Sequence, residues 1–142
     1  MELSRTQESI EKIIDIAQYV YDKMGHGHSE ATYHKAMEIE LRNNMIPYEV
    51  EKRVAVTYED SRGNKNTIGV NRLDFFIDNS IIVELKATSK KISTSVRQQM
   101  FRYCRELEKS GISSKAAVAI NFYQPLRLGQ PTKIEFEDIV FN

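Results

Sequence analysis

Apolar residues recur along this chain with two different periods, and the switches between them mark its elements. Ile10, Ile13, Ile14, Ala17, Val20 and Met24 fall at helical spacing and predict a first helix with one apolar stripe. Ser4 and Gln7 have the spacing of a capping box at its start, and Gly25 and Gly27 end it. A second helix is expected from Ser29 to Asn43, with Ser29 as N-cap and Asn43-Asn44 as the stop. The period then changes to two. Val50, Val54, Val56 and Tyr58 alternate in a strand from Tyr48 to Tyr58. A polar turn at 59–66 precedes a second strand, from Thr67 to Ile77, and Asp78-Asn79-Ser80 is a turn signal.

Ile81 to Ala87 is apolar on both sides, which predicts a central strand. Ser93 to Lys109 returns to the helical period, with Val96, Met100, Tyr103 and Leu107 as its buried stripe and Gly111 as C-terminal cap. Lys115 to Phe122 is a short apolar strand, Pro125 to Pro131 a loop, and Thr132 to Phe141 a last strand. The order α-α-β-β-β-α-β-β predicts an α/β (α+β) protein with a mixed central sheet flanked by helices.

The 142 residues suit one domain over 1–142. No apolar run approaches the roughly 18 residues needed to cross a membrane, so no membrane partner is expected. The N-terminal stretch has no secretory apolar core, and the single cysteine, Cys104, fits a reducing compartment. An intracellular protein of the cytoplasm or nucleus is the expectation. The formal net charge is zero, but its distribution is uneven: from Lys86 to Lys115 there are eight basic residues against two acidic ones. A local basic field of that kind can hold a polyanion, although a solvated helix face has the same composition. His26, His28, His34 and Cys104 have no zinc-ligand spacing.

Three carboxylates stand where a core should be. Glu84 and Lys86 share one face of the central strand with Ile82, and a buried charge there needs a partner or a metal. Pairing between Glu84 and Lys86 themselves is one solution. Asp74 lies among aromatics in Leu73-Asp74-Phe75-Phe76. If the loop at 78–80 has three residues, Ile77 faces Ile81 and Asp74 faces Glu84, with Cβ atoms about 5 Å apart on the same face. Two such carboxylates repel unless a proton or cation intervenes. A two-residue loop would separate them. Glu30 opens the second helix on the side of Tyr33, Met37 and Leu41, either directed at the sheet or favoured there by the helix dipole.

Asp74 followed by Glu84-Leu85-Lys86 resembles the D-x(n)-E-x-K core of the PD-(D/E)XK nucleases. Gly27-His28-Ser29-Glu30-Ala31-Thr32-Tyr33 resembles the signature of the GxxExxY branch of that superfamily, and the similarity spans about residues 21–125. Gln99 and Tyr103 fit the Q-x-x-x-Y motif of its exonuclease branch, where a core-edge pair is the alternative. Leu73 replaces the proline of the superfamily name, and Ser29 an apolar residue of the branch signature.

The resemblance implies a restriction-endonuclease-like core and a metal-dependent nuclease acting on DNA in repair, recombination or processing. It implies Mg²⁺ or Mn²⁺ held by Asp74, Glu84, the Leu85 carbonyl and Glu30. It makes Lys86 and Gln99 catalytic and Tyr103, Lys90, Lys91, Arg97 and Arg102 substrate contacts. Many nucleases of this fold pair up, so a homodimer is a candidate assembly, and Ile134, Phe136, Ile139 and Phe141 give the last strand the apolar character to join its interface. A non-catalytic nucleic-acid-binding or protein-interaction module on the same fold is the alternative.

Overall fold

The computed structural model describes residues 2–130 and 132–141, with side chains from residue 5 onward. Two helices come first, α1 (Glu2–Met24) and α2 (Glu30–Asn43), then strands β1 (Tyr48–Glu59), β2 (Lys65–Ile77) and β3 (Ile81–Lys86). Helix α3 (Thr94–Lys109) leads to β4 (Ala116–Asn121) and β5 (Glu135–Val140). The expected order is therefore observed. The capping box expected at Ser4 involves a side chain outside the described residues, and α1 itself begins two residues earlier, at Glu2. Pro131, the end of the expected loop, is likewise outside them.

The helix ends follow their local chemistry. Ser29 caps α2, its hydroxyl accepting from the Thr32 N–H at 3.3 Å. Helix α3 ends in a Schellman arrangement: Ile112 N–H donates to Leu107 C=O and Gly111 N–H to Glu108 C=O, with Gly111 at φ +81°. Helix α2 ends in the same way, through Ile46 to Leu41 and Met45 to Arg42, but the left-handed residue is Met45 at φ +55°.

The five strands form one mixed sheet in the order β1-β2-β3-β4-β5. Only β3 and β4 run parallel, as the α3 crossover between them requires. Helices α1 and α2 cover one face, where Ile10, Ile13, Tyr33, Met37, Phe75, Val83 and Leu85 pack together. Helix α3 covers the other, where Met100, Tyr103 and Leu107 meet Leu73, Phe76, Ile82 and Ala119. This is an α/β architecture consistent with the restriction-endonuclease-like core expected above. Strand β5 is an edge, shorter than the expected 132–141. Within it Ile139 is buried and Phe136 exposed, and of the residues flanking it Ile134 is buried and Phe141 packs on Phe101.

The loop between β2 and β3 has three residues, with Ile77 opposite Ile81. Asp78 and Asn79 both adopt positive φ (+54° and +53°), and Ser80 N–H closes the turn on Ile77 C=O. Short polar side chains tolerate that conformation. This register directs Asp74 and Glu84 toward each other.

Candidate active site

The β2–β3 ladder runs from Ile77/Ile81 to Phe75/Val83 and stops there. At the next position the carboxylates take over its role. Asp74 N–H donates to Glu84 Oε1 at 3.3 Å, and Leu85 N–H donates to Asp74 Oδ2 at 2.7 Å. The strict alternation of faces does not pass through Asp74. Leu73 packs on the α3 side and Phe75 on the α1/α2 side, although they are two residues apart. The partner strand is irregular at the same level: Val50 pairs with Phe75 and Lys52 with Leu73, and Glu51 between them sits at φ +48°. The simple same-face placement expected for the two carboxylates is thus modified. Glu84 keeps the parity of Ile82, whereas Asp74 sits where both strands break step and lines the cleft on the α2 side.

Burial makes this pair costly to ionise. It pushes Asp74 above the usual carboxylate range, against the pull of the Leu85 N–H, His34 and Lys86. Glu84, 5% exposed, is pushed up to about 8, first by burial and then by the Asp74 carboxylate. Lys86 favours the charged form of both, but among the described residues no ion pair joins it to either. The Glu84–Lys86 pairing considered from the sequence is therefore not formed.

The turn before α2 delivers Glu30. Gly27 adopts φ +97°, and its N–H donates to Gln124 Oε1. Tyr33 is buried, stacked on Phe122 at 4.3 Å, and its hydroxyl donates to Gly25 C=O. The glycine and tyrosine of the Gly27–Tyr33 stretch thus anchor the turn. Glu30, exposed between them, lines an open cleft with Asp74 and Glu51.

Sequence reasoning missed three residues here. His34 stacks on Phe75 at 4.1 Å, bonds Asp74 C=O through Nε2 at 3.1 Å and meets Glu38 through Nδ1 at 3.3 Å. Glu51 adds negative charge near Asp74. Asn121, fully buried on β4, accepts from Thr88 N–H and donates to the carbonyls of Thr88 and Lys90 and to Glu135. It thereby fixes the loop bearing Lys90 and Lys91. The available signals were the interrupted alternation after Val50 and one asparagine closing an apolar strand.

On the α3 side, Gln99 donates to the Tyr103 hydroxyl at 2.6 Å. Tyr103 is buried, and burial followed by the charge of Glu84 raises its pKa. Arg97 is engaged by Glu137 at 2.6 Å and Arg102 by Glu106 at 4.0 Å. Among the described residues, no group of three or more His, Cys, Asp or Glu side chains is gathered so as to hold an ion by itself. Glu30 sits at the rim of the cleft that Asp74 lines, and its charge adds to the upward push on Glu84 in the Asp74–Glu84 pair.

The donor chemistry at that pair nonetheless fits a hard divalent cation. Two adjacent carboxylates resist carrying charge together, and the Leu85 carbonyl lies just past the end of the ladder. Oxygen donors with room for waters suit Mg²⁺ or Mn²⁺.

No helix of the described residues is long and apolar enough to cross a membrane. No curated protein matches the chain. The crystal structure of SSO0001 is similar, with a TM-score of 0.57 and 18% identity over 78% of this chain and 48% of that one. The chain thus spans about half the length of that protein, and at this identity the likeness is one of fold. Residues 7–132, most of the chain, match the PD-(D/E)XK nuclease superfamily, and the chain belongs to it.

Proposed function

We propose that this chain is a metal-dependent nuclease of the GxxExxY branch that hydrolyses phosphodiester bonds in DNA. The observation that carries this reading is the pairing of buried Glu84 with half-buried Asp74, adjacent where the β2–β3 ladder ends and, among the described residues, neutralised by no ion pair. Asp74, Glu84 and the Leu85 carbonyl are the ligands, and Glu30 at the rim acts through water. The chemistry such an ion supplies is Lewis acidity toward a phosphoryl oxygen and a water of lowered pKa. Lys86 orients the attacking water and offsets charge developing on phosphorus. Gln99, steadied by Tyr103, directs its remaining amide capacity toward the reacting groups. Lys90 and Lys91, on the loop fixed by Asn121, contact backbone phosphates.

The test is cleavage of labelled single- and double-stranded DNA with and without Mg²⁺ or Mn²⁺. Metal-dependent cutting is expected from the wild type and should be lost in Asp74→Ala and Glu84→Ala. Equal behaviour of all three proteins would refute the catalytic assignment. Binding without cutting would leave a nucleic-acid-binding module.

A further inference from the structure

Arg53 and Arg72 lie directly opposite each other in the β1–β2 register. Their direction follows from their neighbours. Val54 packs with the α3 residues, and Asn71 donates to Glu106 on α3 at 2.8 Å. One residue along each strand, Arg53 and Arg72 therefore project to the other face. That is the face on which Val50, Glu51 and Asp74 line the cleft.

Like charges directly opposite on a ladder destabilise it. Glu51, two residues from Arg53 on β1, forms no ion pair with either arginine among the described residues. Glu49, opposite Phe76 on the α3 face, engages Lys52 at 2.8 Å. Among the described residues neither Arg53 nor Arg72 has an ion pair or a side-chain hydrogen bond, and both are exposed. The next cross-strand pair outward is Ala55 with Val70, and Val70 and Ile68 are exposed at 57% and 66%. The arm therefore offers two unneutralised guanidinium groups followed by an apolar patch.

We propose that this face of the β1–β2 hairpin is a second contact for a polynucleotide, with Arg53 and Arg72 clasping one backbone phosphate and Val70 lying against the adjoining sugar. Guanidinium forks match phosphate oxygens, and an anion between the two arginines removes their repulsion. The position is suited to a substrate, because Arg72 is two residues from Asp74, about 7 Å along the strand. Its role as a substrate contact rests on the nuclease reading above. Contact with a second copy through the apolar patch would leave the arginine pair unneutralised, so the phosphate backbone is the better occupant.

The experiment is fluorescence anisotropy of the full chain with labelled DNA and RNA, duplex and single-stranded, in EDTA across a salt series. Wild type is compared with Arg53→Ala/Arg72→Ala and Arg53→Lys/Arg72→Lys. The alanine pair should weaken binding about tenfold or more and reduce the log–log salt slope by about one, as expected for one phosphate no longer neutralised. The lysine pair should restore the slope. Unchanged affinity and slope in the alanine protein would overturn the proposal. So would intact nucleic-acid binding with a loss of dimer mass by sedimentation, which would make the patch a contact between copies. The nuclease reading fails separately: if the wild type cuts nothing but the alanine pair still loses binding, the arm stands and catalysis does not.

Discussion

The Leu85 N–H donates to Asp74 Oδ2 at 2.7 Å where the β2–β3 ladder has ended. A carboxylate oxygen replaces a backbone carbonyl at the point where the two strands separate. The same bond holds Asp74 beside Glu84 and compensates part of its burial. The break in the sheet thus creates the site.

Glu84 links this site to pH. Burial and the Asp74 charge push its folded-state pKa to about 8 from an ordinary 4.5. A raised carboxyl pKa means that the folded state binds the proton more tightly. The associated stability is fully present below the unfolded value and is lost as pH rises through the folded one. Each tenfold gain in proton affinity on folding corresponds to about 1.4 kcal/mol. Without divalent metal, urea melts should therefore show the wild type losing stability between about pH 5 and pH 8.5 relative to Glu84→Gln. Mg²⁺ should restore it, most at high pH. A flat difference between the two proteins would contradict the assignment.

His34 braces Asp74 from α2 through its ring stack and its bond to the Asp74 carbonyl. His34→Ala should cost about 1–3 kcal/mol through lost packing and an orphaned carbonyl. It should weaken Mg²⁺ affinity more than His34→Gln, which keeps a donor. Titration of the metal-dependent thermal shift measures this, and equal metal affinity in both variants would remove the bracing role.

Asn121 makes four hydrogen bonds with no solvent exposure. Asn121→Ala should leave the loop at 88–90 unsatisfied and destabilise the protein by about 2–4 kcal/mol. Hydrogen exchange should rise at Thr88, whose N–H bonds to the Asn121 side chain. Unchanged protection there would show that the loop is held in another way.

Met45 occupies the left-handed position that ends α2, at φ +55° and with its side chain in solvent. An L-residue with Cβ is disfavoured there by roughly 1 kcal/mol. Met45→Gly should therefore raise the melting midpoint without touching cleavage. A lower midpoint would mean that the added backbone freedom of the unfolded chain outweighs the relief.

Hydrophobic periodicity determined much of this protein. The eight elements, the caps at Ser29 and Gly111, and the parity of Ile82 and Glu84 are local matters, set by 3.6- and two-residue repeats and by single turn residues. The turn at 78–80 was legible, but its length was open between two and three residues; the structure has three, with Ile77 opposite Ile81. The tertiary structure alone decided how the site is made. No strand period encodes the left-handed Glu51, the loss of alternation at Asp74 or the bond from Leu85, because each depends on how two strands part. The approach of His34 and Glu30 depends on how α2 packs over β2 and β3, a relation between residues some 40 positions apart. Local sequence repeats report which face a residue prefers. Where the backbone leaves its repeat, the competing hydrogen bonds of the whole fold determine the direction.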